Sequence, residues 1–470
     1  MRYTATILEK HRDALKQHLI RPDGLERVAL LICGRSRVNQ DPWAGDREER
    51  FISREVIIVP DEHLLDQSAI TVRFPTSYIL NAAKQVEAKD FAVAIVHSHP
   101  GGPLAYSATD DRDEPGAVSI IFNRNDGDRP HLSLLMDGRG EMTGRAYGPD
   151  LKSVPLSMLR VIGDRFQFRH ADRDTGIAPH LDRQRRAFGK AFSNDMRALR
   201  FGIVGAGATG SATALLLMRL GAGNIAAFDP DIVDRTNLNR LHFARQADAD
   251  AGARKIDVLM RQVAEAGLGV QIRAYAEWIG SPACREALKA CDVIFGCTDD
   301  HSGRNLVNRL AYFYGIPVID MGIRMELDDN GEDFRVLDGR VTALLPGTTC
   351  LHCRGLINPD RLRAESLRRN DPDGYERERA AGYLPNEGDP APAVVTFTTE
   401  TACMAVNELI HRMHGFRGND GSWNERVRQF HVPKDFDIRA GRSPRSGCRI
   451  CESTTYWGRG DMEPFLDVAS

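Results

Sequence analysis

Two stretches of this 470-residue chain set metal-binding side chains at spacings that chemistry can use. The first is His97-Ser-His99-Pro-Gly-Gly-Pro-Leu-Ala-Tyr-Ser107-Ala-Thr-Asp110. Histidines at i and i+2 on the end of an extended run point the same way, because strand side chains alternate with a period of two. Two imidazoles and one carboxylate make a three-ligand zinc site whose fourth position is left for water. The metal acidifies that water into a nucleophile near neutral pH. The Pro- and Gly-rich turn lets Asp110 return to the metal, and Ser107 can donate a hydrogen bond to the oxyanion of a tetrahedral intermediate. The second stretch is split: Cys350-Leu-His-Cys353 and Cys448-Arg-Ile-Cys451. Paired Cys-x-x-Cys motifs give four thiolates and a filled tetrahedron, so this zinc reads as structural, stapling the C-terminal segment back onto the preceding sheet.

A third set would handle phosphate. Gly205-Ala-Gly207-Ala-Thr-Gly210 follows the apolar run Phe201–Val204 and opens a helical pattern. Backbone N–H groups at such a helix start cradle phosphate, and Asp229 ends the next strand where a ribose hydroxyl would bind. Up to Asp229 an NAD(P)-dependent oxidoreductase with a metal-binding appendage fits equally well. The following residues favour another chemistry: Asp231, Asn237, Arg240, Gly252, Lys255 and Cys297-Thr-Asp299-Asp300, with Arg304 and Asn308 beyond them. Hydride transfer has no use for that set. Adenylation does: Arg240 and Lys255 neutralise a triphosphate, and Asp299 holds Mg²⁺ while a carboxylate attacks the α-phosphate of ATP.

The spacing His-x-His-x7-Ser-x2-Asp resembles the JAMM (JAB/MPN) metalloprotease family over about the first 165 residues. That resemblance implies an α+β peptidase or isopeptidase and a glutamate serving as general base; Glu26, ahead of Val28-Ala-Leu-Leu-Ile-Cys33, is the candidate. From about residue 180 to 451 the pattern D-x-D-x-V, N-L-x-R, G-x-x-K and T-D-D resembles the ThiF/MoeB-like members of the ubiquitin-activating superfamily. This second resemblance implies ATP, Mg²⁺ and a ubiquitin-like protein with a C-terminal glycine. It also implies a homodimer, in which Arg183 of the Arg183-Gln184 pair reaches the ATP of the other subunit. Many such enzymes carry a cysteine on the crossover after the first Cys-x-x-Cys. Here none stands between Gly355 and Thr396. Cys403 sits in an apolar-periodic helix and reads as core, and Ser366 is the hydroxyl of that crossover. The adenylate is therefore expected to pass to an external thiol, on a conjugating-enzyme-like protein or a sulfur donor. Activation of a sulfur carrier for cofactor biosynthesis is the alternative pathway.

These residues need two scaffolds. Residues 1–165 read as an α+β unit: a helix around Leu8–Leu19, then strand-like runs at Val28–Cys33, Val56–Val59, Phe91–Val96 and Val118–Phe122. Residues 166–182 read as a polar linker. Residues 183–470 alternate strand and helix, which predicts a Rossmann-like, doubly wound and mostly parallel sheet. The charged stretch Pro359–Pro392 reads as a mobile crossover. Lys+Arg 62 against Asp+Glu 65 leaves a net charge of −3, with no basic excess for nucleic acid. No run reaches the ~20 apolar residues of a membrane span. The N-terminus lacks a secretion-signal pattern, and of the nine cysteines four form two Cys-x-x-Cys pairs, which suits metal binding in a reducing cytoplasm.

Overall fold

The computed structural model describes the chain except residues 88, 126, 172–177, 385–392, 420, 433–435, 440–442 and 463–470. Parts of the expected linker (172–177) and of the expected crossover (385–392) lie outside the described residues. Two compact units form. The first takes Met1–Arg173, Phe313–Gly315 and the run from Tyr456. The second takes Asp174–Tyr312 and Ile316–Thr455. No helix among the described residues is long and apolar enough to cross a membrane.

The first unit is built on a nine-stranded sheet. Its order is Gln167–His170, Met158–Ile162, Arg2–Leu8, Glu48–Ile58, Val28–Val38, Phe91–His99, His131–Asp137, Met142–Tyr147 and Ser153–Pro155. Val28–Val38 pairs antiparallel with both its neighbours. Its unbroken apolar start is explained by burial on both faces. Ala29, Leu31 and Cys33 pack with Leu15 and Leu19 of the Glu9–Leu19 helix. Val28, Leu30 and Ile32 pack with Ile79 and Ala83 of the Thr76–Val86 helix and with Val118 and Ile121. Those last two correct an expectation: Val118–Phe122 is no strand but lies inside the Ala108–Asn125 helix. Val118 and Ile121 are three apart and turn one face of that helix to the sheet. The opening strand Arg2–Leu8 was not anticipated; the first helix follows it at Glu9.

The run from Tyr456 completes this unit. The Arg54 guanidinium donates to the Trp457 carbonyl at 2.5 Å, and Lys10 lies 4.1 Å above the Trp457 ring. The Arg37 N–H donates to Asp461 at 2.6 Å, and a β-carbon on Gly34 would collide with the Gly458 carbonyl.

The second unit carries an eight-stranded sheet. Its order is Gln271–Tyr275, Asn224–Phe228, Arg200–Val204, Val293–Gly296, Val318–Leu327, Phe334–Leu344, Glu425–Gln429 and Phe436–Arg439. The first five strands are parallel and the last three are joined antiparallel. The chain passes from Arg200–Val204 to one side and later returns on the other, which opens a crevice at the carboxyl ends of the central strands. The charged stretch after Asn358 is more ordered than its composition suggests. It forms the helices Pro359–Asn370 and Pro372–Ala380, each starting with proline after a capping side chain, Asn358 or Asp371. Glu365 of the first of these accepts the N–H groups of His301 and Ser302 at 2.9 and 2.7 Å, capping the His301–Phe313 helix.

Candidate active sites

In the first unit, strand alternation points His97 and His99 to the face covered by the Ala108–Asn125 helix, while Ser98 turns away and accepts the Arg27 N–H at 3.0 Å. Asp110 lies in the first turn of that helix. Ser107 and Asp110 cap each other: the Ser107 N–H donates to the Asp110 carboxylate at 2.6 Å, and the Asp110 N–H donates to Ser107 Oγ at 3.2 Å. Donor atoms of His97, His99 and Asp110 lie within 4.8 Å of one another. His97 Nε2 is 3.2 Å and His99 Nε2 3.4 Å from the Asp110 carboxylate. Glu26 is buried beside them, 3.6 Å from His99 Nε2, because the residues before Val28 run on alongside the end of the histidine strand.

The electrostatics suit a cation. Burial alone would raise the Asp110 pKa, yet the close His97 and His99 rings and the hydrogen bond from the Ser107 N–H hold it well below the usual carboxylate range. The Asp110 hydrogen bond raises the His99 pKa. Burial pushes Glu26 up to about 7 against the pull of the two histidines. His97 Nε2 is buried with no hydrogen-bond partner, an orphaned donor atom that a metal ion would satisfy. The donor set fits zinc with one position open.

One residue of this site has no role in the motif. Glu114 is buried one helical turn after Asp110 and lies 3.6 Å from His97 Nδ1. It accepts from Ser133 Oγ at 2.5 Å, Arg145 Nε at 2.9 Å and the Tyr147 hydroxyl at 2.9 Å. A fixed carboxylate behind a ligating histidine orients the ring. The sequence signal for it is the i, i+4 spacing from Asp110.

In the second unit, Cys350, Cys353, Cys448 and Cys451 gather with all four sulfurs within 4.8 Å of one another. The pairs Cys350–Cys448, Cys353–Cys451 and Cys448–Cys451 are 3.8, 3.6 and 3.6 Å apart. A tetrahedron with ~2.3 Å zinc–sulfur bonds has edges of about 3.8 Å, so the donor set fits a closed thiolate site. The Cys448 thiol is lowered to about 7: burial opposes ionisation, but the N–H groups of Cys451 and Ile450 and the neighbouring thiols outweigh it.

The crevice of the second unit holds a cavity of about 750 Å³. Gly205 bends into it with φ +91°, and a β-carbon on Gly210 would strike the Gly205 carbonyl, so the helix can start this close only with glycine there. Gly207 is open to the cavity. Asp229 is buried and accepts the N–H groups of Ala206 at 2.6 Å and Asp231 at 2.8 Å, which ties the glycine loop to the next strand. Burial raises its carboxyl pKa, and Lys255 lowers it again in part. Asn237, Arg240, Lys255 and Asp299 line the same cavity. Lys255 Nζ sits 2.7 Å from Asp231, and Arg240 donates to the Thr236 carbonyl at 2.5 Å. Asp299 is exposed just past the Val293–Gly296 strand.

Other expected residues lie elsewhere. Arg183 is exposed on the Asp182–Ala198 helix and does not line the cavity of its own chain. Asn308 is fully buried and accepts the Leu351 N–H at 2.9 Å, a support for the first cysteine pair. Cys403 is half-buried with its thiol pushed up by burial, and Ser366 accepts from Asn370 at 3.3 Å; neither lines the cavity. The crossover helix brings Arg368 and Arg369 to the cavity, with Arg369 3.9 Å over the Trp278 ring. Their distance along the chain from every phosphate motif hid them in the sequence.

A family model described as the ThiF family matches residues 181–450, and one described as prokaryotic homologs of the JAB domain matches residues 8–140. An adenylyltransferase and sulfurtransferase UBA4 of Meyerozyma guilliermondii is 32% identical over 127 residues, covering 26% of this chain and 29% of that protein. A SAMP-activating enzyme E1 of Haloferax volcanii is 26% identical over 151 residues, covering 32% of this chain and 51% of that protein. The chain thus spans about a third to a half of the length of these relatives. Among solved structures, E. coli MccB with ATP overlaps with a TM-score of 0.43 at 16% identity, covering 60% of this chain and 76% of that one.

Proposed function

The chain belongs to the ThiF family, and on that premise we propose that it adenylates the terminal carboxyl of a ubiquitin-like protein ending in glycine, while its JAB unit trims the precursor or cuts isopeptide conjugates of that protein. The observation that carries the reading is that Arg240, Lys255 and Asp299, from three separate segments, line one cavity with the glycine loop and Asp229. ATP would lay its phosphates on the N–H groups of the loop and its ribose near Asp229. Asp299 would hold the Mg²⁺ that accompanies the triphosphate. The substrate carboxylate forms a bond to the α-phosphorus as the bond to the bridging oxygen breaks. Lys255, released from Asp231, and Arg240 offset the charge of the leaving pyrophosphate. In a homodimer, Arg183 would reach across to the other subunit's ATP.

Neither Cys403 nor Ser366 lines the cavity, which supports transfer of the acyl group to an external thiol. A conjugating-enzyme-like protein is one acceptor. A sulfur donor is the other, a reading supported by the sulfurtransferase in the UBA4 relative's name. Family membership favours adenylation over hydride transfer.

In the JAB unit, His97, His99 and Asp110 would hold zinc, which supplies a Lewis acid and an acidified water when bound. Glu26 takes the proton of the attacking water and returns it to the departing amine. Ser107, whose oxygen already accepts the Asp110 N–H, keeps its own proton free for the oxyanion.

Pyrophosphate exchange into ATP, measured with small proteins ending in glycine, tests the reading. We expect exchange with one of them, its loss in Lys255→Ala, and a His97→Ala variant that still exchanges but leaves an extended precursor uncut. Binding of a nicotinamide dinucleotide without exchange would overturn it.

A further inference from the structure

On the flank of the cavity away from Asp229, two arginines gather around a single buried aspartate. Arg304 rises from the His301–Phe313 helix and lines the cavity. Beside it the strands Val318–Leu327 and Phe334–Leu344 pair so that Gly322 faces Arg340 and Asp320 faces Thr342. Asp320 has no exposed surface, and the Arg304 and Arg340 side chains keep only 16% and 12%. Arg340 donates to Asp320 Oδ2 at 2.6 Å. The other oxygen of Asp320 is 3.9 Å from Arg304 Nε, and neither of those atoms has a hydrogen-bond partner. A terminal nitrogen of each arginine lies 3.1 or 3.2 Å from the point where a side chain on Gly322 would begin. Two guanidiniums therefore share one carboxylate and crowd the backbone at Gly322, where a β-carbon would press on both. Among the groups that touch this pair the sum is one positive charge, held where little water reaches to screen it. An anion delivered through the cavity would balance that charge, and Arg304 faces the cavity with N–H groups to spare, its side chain donating besides only to the Asp299 carbonyl at 3.4 Å among the described residues.

The triphosphate has its own cations. Lys255 and Arg240 follow the Asn224–Phe228 strand, three strands from Val318–Leu327 in the sheet. At ~4.8 Å per strand that is roughly 14 Å. Val318–Leu327 is instead next to Val293–Gly296, whose end flanks the glycine loop where the α-phosphate would lie. An anion at Arg304 is thus one strand from the atom it must attack. We infer that Arg304 receives the terminal carboxylate of the polypeptide substrate, and that the Asp320–Arg340 pair is a positioning device that aims it; the inference rests on the adenylation reading above. Arg340 itself does not line the cavity and acts through Arg304.

The test uses the full chain with Mg²⁺ and a non-hydrolysable ATP analogue, titrated with an octapeptide ending in Gly-Gly as the free acid or the carboxamide. We expect the acid to bind about tenfold or more tighter than the amide, as a charge-assisted contact would give. Arg340→Gln alone would strand a buried carboxylate and endanger folding, so it is made together with Asp320→Asn, which keeps two polar partners and removes both charges. In that double variant Arg304 keeps its charge but loses the pair that aims it, so the preference for the acid should fall about threefold or more while affinity for the nucleotide analogue holds, and Arg340→Lys should restore part of it. A preference unchanged in the double variant, or equal binding of acid and amide by the natural chain, overturns the inference and leaves adenylation standing. Failure of the natural chain to bind the nucleotide analogue brings down both.

Discussion

The two candidate zinc sites of this chain are built on opposite plans. The first draws two histidines and an aspartate from 14 consecutive residues, His97 to Asp110, and keeps a carboxylate, Glu26, at its mouth. The second draws four cysteines from motifs about a hundred residues apart and leaves no position for a fifth group. One plan needs a short stretch held rigidly by a strand end and a helix start. The other needs the sheet to be folded before the motifs can meet. An incomplete donor set with a buried acid beside it is what catalysis needs, and a complete set of thiolates is what a staple needs.

That contrast can be broken at several points. Cys451→Ser should have the largest effect. It removes one equivalent of zinc by elemental analysis and lowers the melting temperature of the second unit by on the order of 10 °C, because binding energy at a structural site is folding energy. A variant that melts as the natural chain does would mean that the staple is dispensable. Glu26→Gln comes next: cleavage of an extended precursor should fall by roughly 10²–10⁴-fold with zinc content unchanged. A parallel loss of zinc would make Glu26 a ligand rather than a base. Glu114→Gln should be mildest, weakening zinc affinity or cleavage by about 10–100-fold through a loosened His97 ring. No change there would restrict Glu114 to holding Arg145 and Tyr147.

How much of this was legible depends on how local the signal is. Val28-Ala-Leu-Leu-Ile-Cys33 reads as a strand because a run buried on both faces has no alternation to hide. The His97-x-His99 pair reads directly because a period of two sets both rings on one face. Val118-Ser-Ile-Ile-Phe122 misleads, since a five-residue apolar run looks the same in a strand and on the inner face of a helix. The deciding feature is the mutual cap of Ser107 and Asp110 at the start of the same helix. The stretch after Asn358 misleads the other way: its charges suggested a loop, while its caps and prolines specify two helices. Arg340 and Asp320 carry no motif at all, and only the pairing of neighbouring strands brings them to Arg304.

The run from Tyr456 gives the chain an unusual timetable. The sheet of the first unit is encoded within Met1–Arg173, but the tryptophan under Lys10 and the carbonyl against Gly34 belong to residues made after the second unit's strands. The gap, 456 minus 173, is 283 residues. At ~5–20 residues per second on the ribosome, the nascent N-terminal sheet waits about 15–60 s for its last piece. During that interval Arg54 has no Trp457 carbonyl to hold, and the backbone at Gly34 is not yet covered by Gly458.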